Sequence, residues 1–304
     1  MLENADLLEA SLARFQKYKK WLQRQPLSPQ TRRAYVSRIN GFLGFLGDSS
    51  EDLRELLANE RERKFVLQNY KRQLKQEIKL SPASVNANLT AVDHFFQFLG
   101  ASSTKIAREE LPQEAPRALN KKEQQAFLRA VTACRRSKDR AIALLLFYSG
   151  IRISECASLN VDDVSVIGRK NRVVVRDGKG GKFREIPLHP EASEAVKTWL
   201  DERRKKFEEG EKFKGRKLSE AIFLNPQGLR MSTASIDLIV RKIGDSCGLQ
   251  LSAHVLRHSC LTNLVRNGND LSLVAEIGGH KRLETTKRYS LPTIADKEKA
   301  ISGL

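Results

Sequence analysis

The apolar pattern of this chain stops between Gly100 and Arg117, and that break constrains the fold more than any other feature. The stretch GASSTKIAREELPQEAPR is small, polar and interrupted by Pro112 and Pro116, which is the composition of a connector. In a chain of 304 residues it separates a segment of ordinary single-domain size from a longer one. The expected division is a first domain over 1–100, a linker over 101–117 and a second domain over 118–304, with a tail over 290–304.

The first segment reads as helices throughout. Leu7, Leu8, Leu12, Phe15, Trp21 and Leu22 recur at helical spacing, and Phe65, Val66, Tyr70, Leu74 and Ile78 mark a later helix. Two helices share a start signal, a capping serine followed by proline at the first helical position: Ser28-Pro29 and Ser81-Pro82. Each ends in F-x-x-F-L, at Phe42 to Leu46 and Phe95 to Leu99, so the two resemble repeated units of a small bundle.

The second segment mixes types. Helical spacing predicts helices over 120–135, 138–149, 190–208, 232–247, 255–267 and 270–277. Between them, Arg172 to Arg176 and Phe183 to Leu188 flank a glycine-rich turn, Asp177-Gly178-Lys179-Gly180-Gly181, and read as a hairpin. Ala221 to Leu224 is a candidate edge strand. The run over 201–217, dense in both signs, reads as a solvated helix end and loop. The fold class is mainly α with a small antiparallel sheet.

Charge narrows the function. Fifty-four Lys and Arg against thirty-six Asp and Glu leave +18, an excess suited to a polyanion whose counterions are released on binding. The opening MLENADLLEA lacks the basic region of a secretory signal, and the longest apolar run, Ala141 to Phe147, is too short to cross a bilayer. Cys134, Cys156, Cys247 and Cys260 form no CxxC pair and read as reduced thiols of a cytoplasmic protein.

Taken singly, the polar residues of the second segment are ambiguous. Arg152 has Glu155 three residues on as a partner on one helix face, and Lys179 has the look of an ordinary turn lysine. His254, Arg257 and His258 share a face, but Val255 stands where the helical zinc motif needs Glu, and no further ligand cluster follows. No metal and no cofactor are expected. Gly278-Gly279-His280 ends a helix, and Tyr289 follows in a basic, polar stretch with little apolar company.

Together, and in order, these boxes resemble the tyrosine recombinases, or phage integrases, including the Xer-like resolvases. GIRISECASL is similar to the family's first arginine box, DGKGGKFREIPL to its lysine hairpin, and HVLRHS to its H-x-x-R box. GGH followed by TTKRY is similar to the box that holds the nucleophile, and S-P-x-T-x-x-x-Y near the N-terminus to the core-binding domain. The resemblance implies a helical core-binding domain and a mixed catalytic domain that clamp double-stranded DNA. It further implies a tetramer on DNA, with the C-terminal tail exchanged between protomers, that exchanges strands between short sites through a 3′-phosphotyrosyl link.

The implied site is Arg152, Lys179, His254, Arg257, His280 and Tyr289. A phenol is a poor nucleophile without a base or a positive field, and phosphoryl transfer asks mainly for positioning and for cations on the equatorial oxygens. Arg152 and Arg257 supply forks, His280 a further donor, His254 the proton acceptor, Lys179 the acid for the leaving oxygen, and Tyr289 the nucleophile. Alternative readings are DNA relaxation of the type IB topoisomerase kind and a DNA-binding regulator without catalysis.

Overall fold

The computed structural model describes residues 2–49, 53–111, 115–166, 171–176, 183–209, 219–280 and 282–292, together with 296, 298, 301 and 302. The chain divides into two compact units, Met1–Pro112 and Gln113–Leu304. It is mostly helical, with one small antiparallel sheet of three strands among the described residues, and no described helix is long and apolar enough to cross a membrane.

The first unit holds α1 (Leu2–Gln23), α2 (Pro29–Asp48), α3 (Leu53–Ala58), α4 (Glu60–Gln76) and α5 (Pro82–Phe98). Ser28 and Ser81 cap α2 and α5 by accepting the amides of Thr31 and Ser84, and Pro29 and Pro82 follow as the spacing predicts. The two F-x-x-F-L ends meet in the core, where Phe42 and Phe96 pack edge to face at 5.9 Å and Tyr70 of α4 joins Phe42 at 5.0 Å. Phe65 and Ile78 depart from expectation and lie exposed. The buried face of α4 runs through Arg63, Val66, Leu67, Tyr70 and Leu74; Phe65 falls on the far side, and Ile78 lies beyond the last turn.

The polar stretch after α5 does not leave this unit at once. Lys71 donates to the Ala107 carbonyl and, with Lys75, pairs with Glu109 at 2.8 Å, while Asn86 exchanges hydrogen bonds with the Glu109 backbone. Arg63 is buried and fully used. Its guanidinium donates to Thr104 Oγ1 at 2.7 Å, to the Leu56 carbonyl at 2.8 Å and to Ser102 Oγ at 3.2 Å.

The second unit contains α6 (Lys121–Thr132), α7 (Ser137–Ser149), α8 (Ile153–Ser158), β1 (Val164–Ser165), β2 (Arg172–Arg176) and β3 (Phe183–Pro187). It continues with α9 (Pro190–Arg203), α10 (Thr233–Asp245), α11 (Ala253–Arg266), α12 (Leu271–Gly278) and α13 (Glu284–Lys287). The run Ala141 to Phe147 is buried along its length, and α7 packs against α9, α10 and α11. An all-round apolar helix of this kind belongs at the centre of a layered unit. The two strands of the predicted hairpin pair antiparallel, with Val173 opposite Ile186 and Val175 opposite Arg184, while the turn over 177–182 lies outside the described residues. Its third strand is β1, through Val164 opposite Val173. Ala221 to Leu224 does not form the expected edge strand; it is wholly buried and, among the described residues, makes only isolated bridges to Asn160 and Arg230. The described part of the charged run, 201–209, is less solvated than expected, because Phe207 is buried and Arg203 donates to the carbonyls of Ser219 and Ala221; the rest of the run, 210–217, lies outside the described residues. Lys179 and most of the tail beyond Pro292 lie outside the described residues.

The Arg63 arrangement predicts a large effect from a single change. Arg63→Ala strands the buried Thr104 hydroxyl and the Leu56 carbonyl at once and removes a donor to Ser102, so it is expected to cost about 2–4 kcal/mol of stability. Arg63→Lys is expected to recover little, because one ammonium lacks the fork that reaches both Thr104 and Leu56. Denaturant titration of the full-length protein, followed by circular dichroism, measures both; a loss under about 0.5 kcal/mol for Arg63→Ala refutes the account.

Candidate active site

The site is assembled where α7 stops. Gly150 ends that helix in the left-handed region at φ +63°, and a Cβ there would lie 3.1 Å from Cys260 Sγ. Both constraints favour glycine. The turn delivers Arg152 to the N-cap of α8, where its amide donates to Glu155 Oε2 at 2.7 Å.

Glu155 is the centre of the first half of the site. Its carboxylate accepts from Arg152 Nη1 at 2.8 Å and is gripped from the other side by Arg184, Nη1 to Oε1 at 3.0 Å and Nη2 to Oε2 at 2.8 Å. Burial pushes the carboxyl up, but the hydrogen bonds from Arg184 and the Arg152 amide, with the two positive charges, outweigh it and hold it below its ordinary value. Arg184 stands on β3, two residues before buried Ile186 and opposite buried Val175, so alternation turns it inward. Its Nε donates to the Ile277 carbonyl at 3.0 Å, and Arg152 Nη2 donates to the Gly279 carbonyl at 2.7 Å. The pair of arginines therefore ties the hairpin and α8 to the end of α12. Gly279, at φ +62°, sits against them: a Cβ there would fall 2.7 Å from Arg184 Nη1 and 3.1 Å from Arg152 Nη1.

Arg257 on α11 organises the other half. It is buried, donating Nη1 to the Gly150 carbonyl and Nη2 to the Gly278 carbonyl, each at 2.5 Å, with Nη2 also 2.9 Å from His280 Nε2. A guanidinium only donates, so His280 Nε2 accepts, and its Nδ1–H is left to donate to Thr286 Oγ1 at 2.8 Å. His280 in turn stacks parallel to Tyr289, with ring centroids 5.9 Å apart.

Tyr289 is buried, 4% exposed, among Leu261, Val274 and Ile277. This corrects the expectation of a tyrosine with little to pack against. The residues around it in sequence are polar, but α13 brings it back onto α11 and α12. Its hydroxyl lies 2.9 Å from His258 Nδ1, and His258 Nε2 lies 2.6 Å from His254 Nε2.

Electrostatics follow from burial and crowding. Burial first, then Arg257 and Arg152, push His280 down to about 4. Burial and the adjoining His254 push His258 down to about 3, and His254 itself is lowered by burial and by Arg257. All three imidazoles are therefore neutral at pH 7. Burial raises the Tyr289 phenol, against the opposing pull of Arg257 and Arg288.

Five of the six residues singled out from the sequence, Arg152, His254, Arg257, His280 and Tyr289, thus fall in one connected cluster; Lys179 lies outside the described residues. The cluster also contains Glu155, Arg184, His258 and Thr286, which were not singled out as site residues. Arg184 had a legible signal, an arginine on the inward register of a strand. Among the described residues, no group of three or more His, Cys, Asp or Glu side chains is arranged to hold a metal ion.

Comparison with known proteins identifies the family. A model described as the phage integrase family matches residues 117–293, and one described as the phage integrase N-terminal SAM-like domain matches residues 15–103. The chain is 26% identical over 291 residues to tyrosine recombinase XerA of Thermococcus kodakarensis, covering 94% of this chain and 93% of that one. To tyrosine recombinase XerC of Pelobacter propionicus it is 31% identical over 281 residues, with coverage of 87% and 85%. A crystal structure of XerH bound to a palindromic difH substrate, a post-cleavage complex, has the same fold at a TM-score of 0.70 and 22% identity, covering 89% of this chain and 79% of that one. With the catalytic family model spanning more than half of its length and taking in the three arginines, three histidines and the tyrosine of the cluster, this chain belongs to the phage integrase family: it is a tyrosine recombinase, Xer-like, and an enzyme of site-specific DNA recombination.

Proposed function

We infer that this protein cuts and rejoins double-stranded DNA through a 3′-phosphotyrosyl intermediate, exchanging strands between two short sites in a tetramer. The observation that carries the reading is the convergence of Arg152, Arg257, His280 and Tyr289 about the Gly278–Gly279 turn. The net charge of +18 and the difH substrate bound in the XerH structure support DNA as the partner.

The roles follow from what each group is able to do. Arg152 and Arg257 present guanidinium forks whose donors now rest on backbone carbonyls and on Glu155. A scissile phosphate is a stronger acceptor than a carbonyl, so it draws donors from both. His280 Nε2 accepts from Arg257 before DNA arrives. Once Arg257 turns to phosphate, the imidazole is free to exchange tautomers, with the Thr286 hydroxyl donating to Nδ1 and Nε2–H donating to a nonbridging oxygen. Tyr289 attacks phosphorus. The Tyr289 O–P bond forms as the P–O5′ bond breaks, the phenol proton is taken up through His254, and Lys179 supplies the proton to the departing 5′ oxygen. The phosphotyrosyl ester conserves the bond, so a second strand's 5′-hydroxyl reverses the step without ATP.

Exchange between two sites requires four cuts and hence four protomers. The tail suits a contact between them: Asp296 is held by Arg266 at 2.7 Å, while Ile301 is exposed on its own unit.

Two measurements test the reading. Tyr289→Phe is expected to bind DNA as tightly as the unaltered protein and to form no covalent adduct on a nicked suicide substrate; adduct in this variant moves the nucleophile elsewhere. Lys179→Ala is expected to slow cleavage of ordinary DNA by on the order of 10²–10⁴-fold, the range for a lost general acid. On DNA with sulfur at the 5′-bridging position, whose thiolate leaves without a proton, most of that rate is expected to return. Equal losses on the two substrates assign Lys179 to charge stabilisation instead.

A further inference from the structure

His258 is the one imidazole of the cluster that the reading above leaves without a task, and it is the only one whose ring nitrogen touches the Tyr289 hydroxyl among the hydrogen bonds of the described residues. His254, cast as the proton acceptor, reaches Tyr289 only through it: Tyr289 Oη to His258 Nδ1 is 2.9 Å, and His258 Nε2 to His254 Nε2 is 2.6 Å. The residues stand at i and i+4 on α11, so the helix itself holds the two rings face to edge, centroids 3.9 Å apart.

One set of protonation states carries a proton along these contacts. The Tyr289 phenol keeps its proton at neutral pH, and in this arrangement the proton points at His258 Nδ1. His258 is then the Nε2–H tautomer and donates to His254 Nε2, which accepts and leaves His254 protonated at Nδ1. Every donor finds one acceptor, in one direction, from the nucleophile outward. His258 is buried and His254 exposed, so the line ends at solvent.

We propose that His258 is a catalytic proton relay, taking the Tyr289 proton at Nδ1 while releasing its own Nε2 proton to His254. The step balances. The Tyr289 O–H bond breaks as the tyrosyl oxygen bonds phosphorus, His258 changes tautomer without a net change of charge, and His254 becomes the imidazolium. Resealing runs the line backwards and returns the proton to Tyr289. A relay explains why burial of His258 is tolerable in a base pathway: the ring never has to hold a positive charge among its neighbours Arg257, Arg288, His254 and His280, which hold it neutral. His254, at the solvent end, carries that charge instead.

This inference rests on Tyr289 being the nucleophile, and the same suicide-substrate assay separates the two claims. Adduct from the unaltered protein and none from Tyr289→Phe establishes the nucleophile; His258 variants then decide the relay. His258→Phe keeps a ring in the packed space and His258→Asn keeps a hydrogen-bonding partner for the phenol, but neither transfers a proton. Both are expected to bind DNA within a few-fold of the unaltered protein and to cleave about 10²-fold slower or worse. Three further readouts distinguish a relay from a merely structural residue. The rate of either variant is expected to climb steeply from pH 7 to 9.5 as solvent base replaces the lost route, whereas the unaltered protein stays nearly flat. The 5′-bridging sulfur substrate is not expected to rescue them, because the leaving group is not their defect. Adding His254→Ala to His258→Phe is expected to cost little more than the worse single change, since both interrupt one route. Should both variants fail to fold, the unaltered protein still decides: on the sulfur substrate, rate plotted against deuterium fraction is expected to bow, as for two protons in flight. Near-normal cleavage by His258→Phe, a loss that higher pH does not relieve, or a straight deuterium plot overturns the proposal.

Discussion

The second unit is organised around one half-buried carboxylate. Glu155 lies between two guanidinium groups and accepts the Arg152 amide as well. A carboxylate removed from water is costly unless it is paired and hydrogen-bonded on both oxygens, and here both are. What the arrangement provides is position. Arg152 comes from the end of α7, Arg184 from β3, and both also grip the carbonyls of Ile277 and Gly279. Removing the carboxylate would leave two cations side by side with no counter-charge and free three elements from a common point.

From that point the rest of the cluster follows by contact. With Gly279 placed, His280 is placed, and its ring determines where Tyr289 stacks and what Arg257 donates to. The glycines at 278 and 279 are the condition for such closeness, since side chains there would meet the guanidinium groups of Arg152, Arg184 and Arg257 and the His280 ring. The sequence already shows a glycine pair before the histidine; that the pair makes room for three arginines belongs to the packing.

Much of this was legible beforehand, and the exceptions have physical reasons. Helix positions followed from 3.6-residue spacing and the two Ser-Pro starts, and the hairpin from its glycine-rich turn. Short elements escaped: α3 and β1 have too few residues for a period to register. Among the site residues, those in compact boxes with their glycines were recognisable. Glu155 was noticed only as a helix-face partner for Arg152, because its second partner is 29 residues away on another element. His258 was seen to share a face with His254 and Arg257, but nothing in the spacing says which histidine meets a tyrosine 31 residues further on. Tyr289 was misjudged in the opposite direction: polar neighbours in sequence do not prevent burial when a four-residue helix folds the segment back.

The way the cations are held bears on how a phosphoryl-transfer site prepares for its substrate. Cationic groups help most when they are already oriented, because no reorganisation is then needed as charge develops. Arg257 is positioned by two carbonyls and a neutral imidazole, all acceptors weaker than a phosphate anion. These partners fix the fork without neutralising it. Arg152 differs, since it shares an anionic carboxylate with Arg184 and its side chain is 41% exposed. One arginine is thus buried and uncompensated, the other accessible and half-compensated by charge. The first supplies field at a fixed place, and the second is able to shift toward an arriving phosphate while Arg184 keeps Glu155 satisfied. A third arginine is therefore part of what allows the first to move without stranding a half-buried charge.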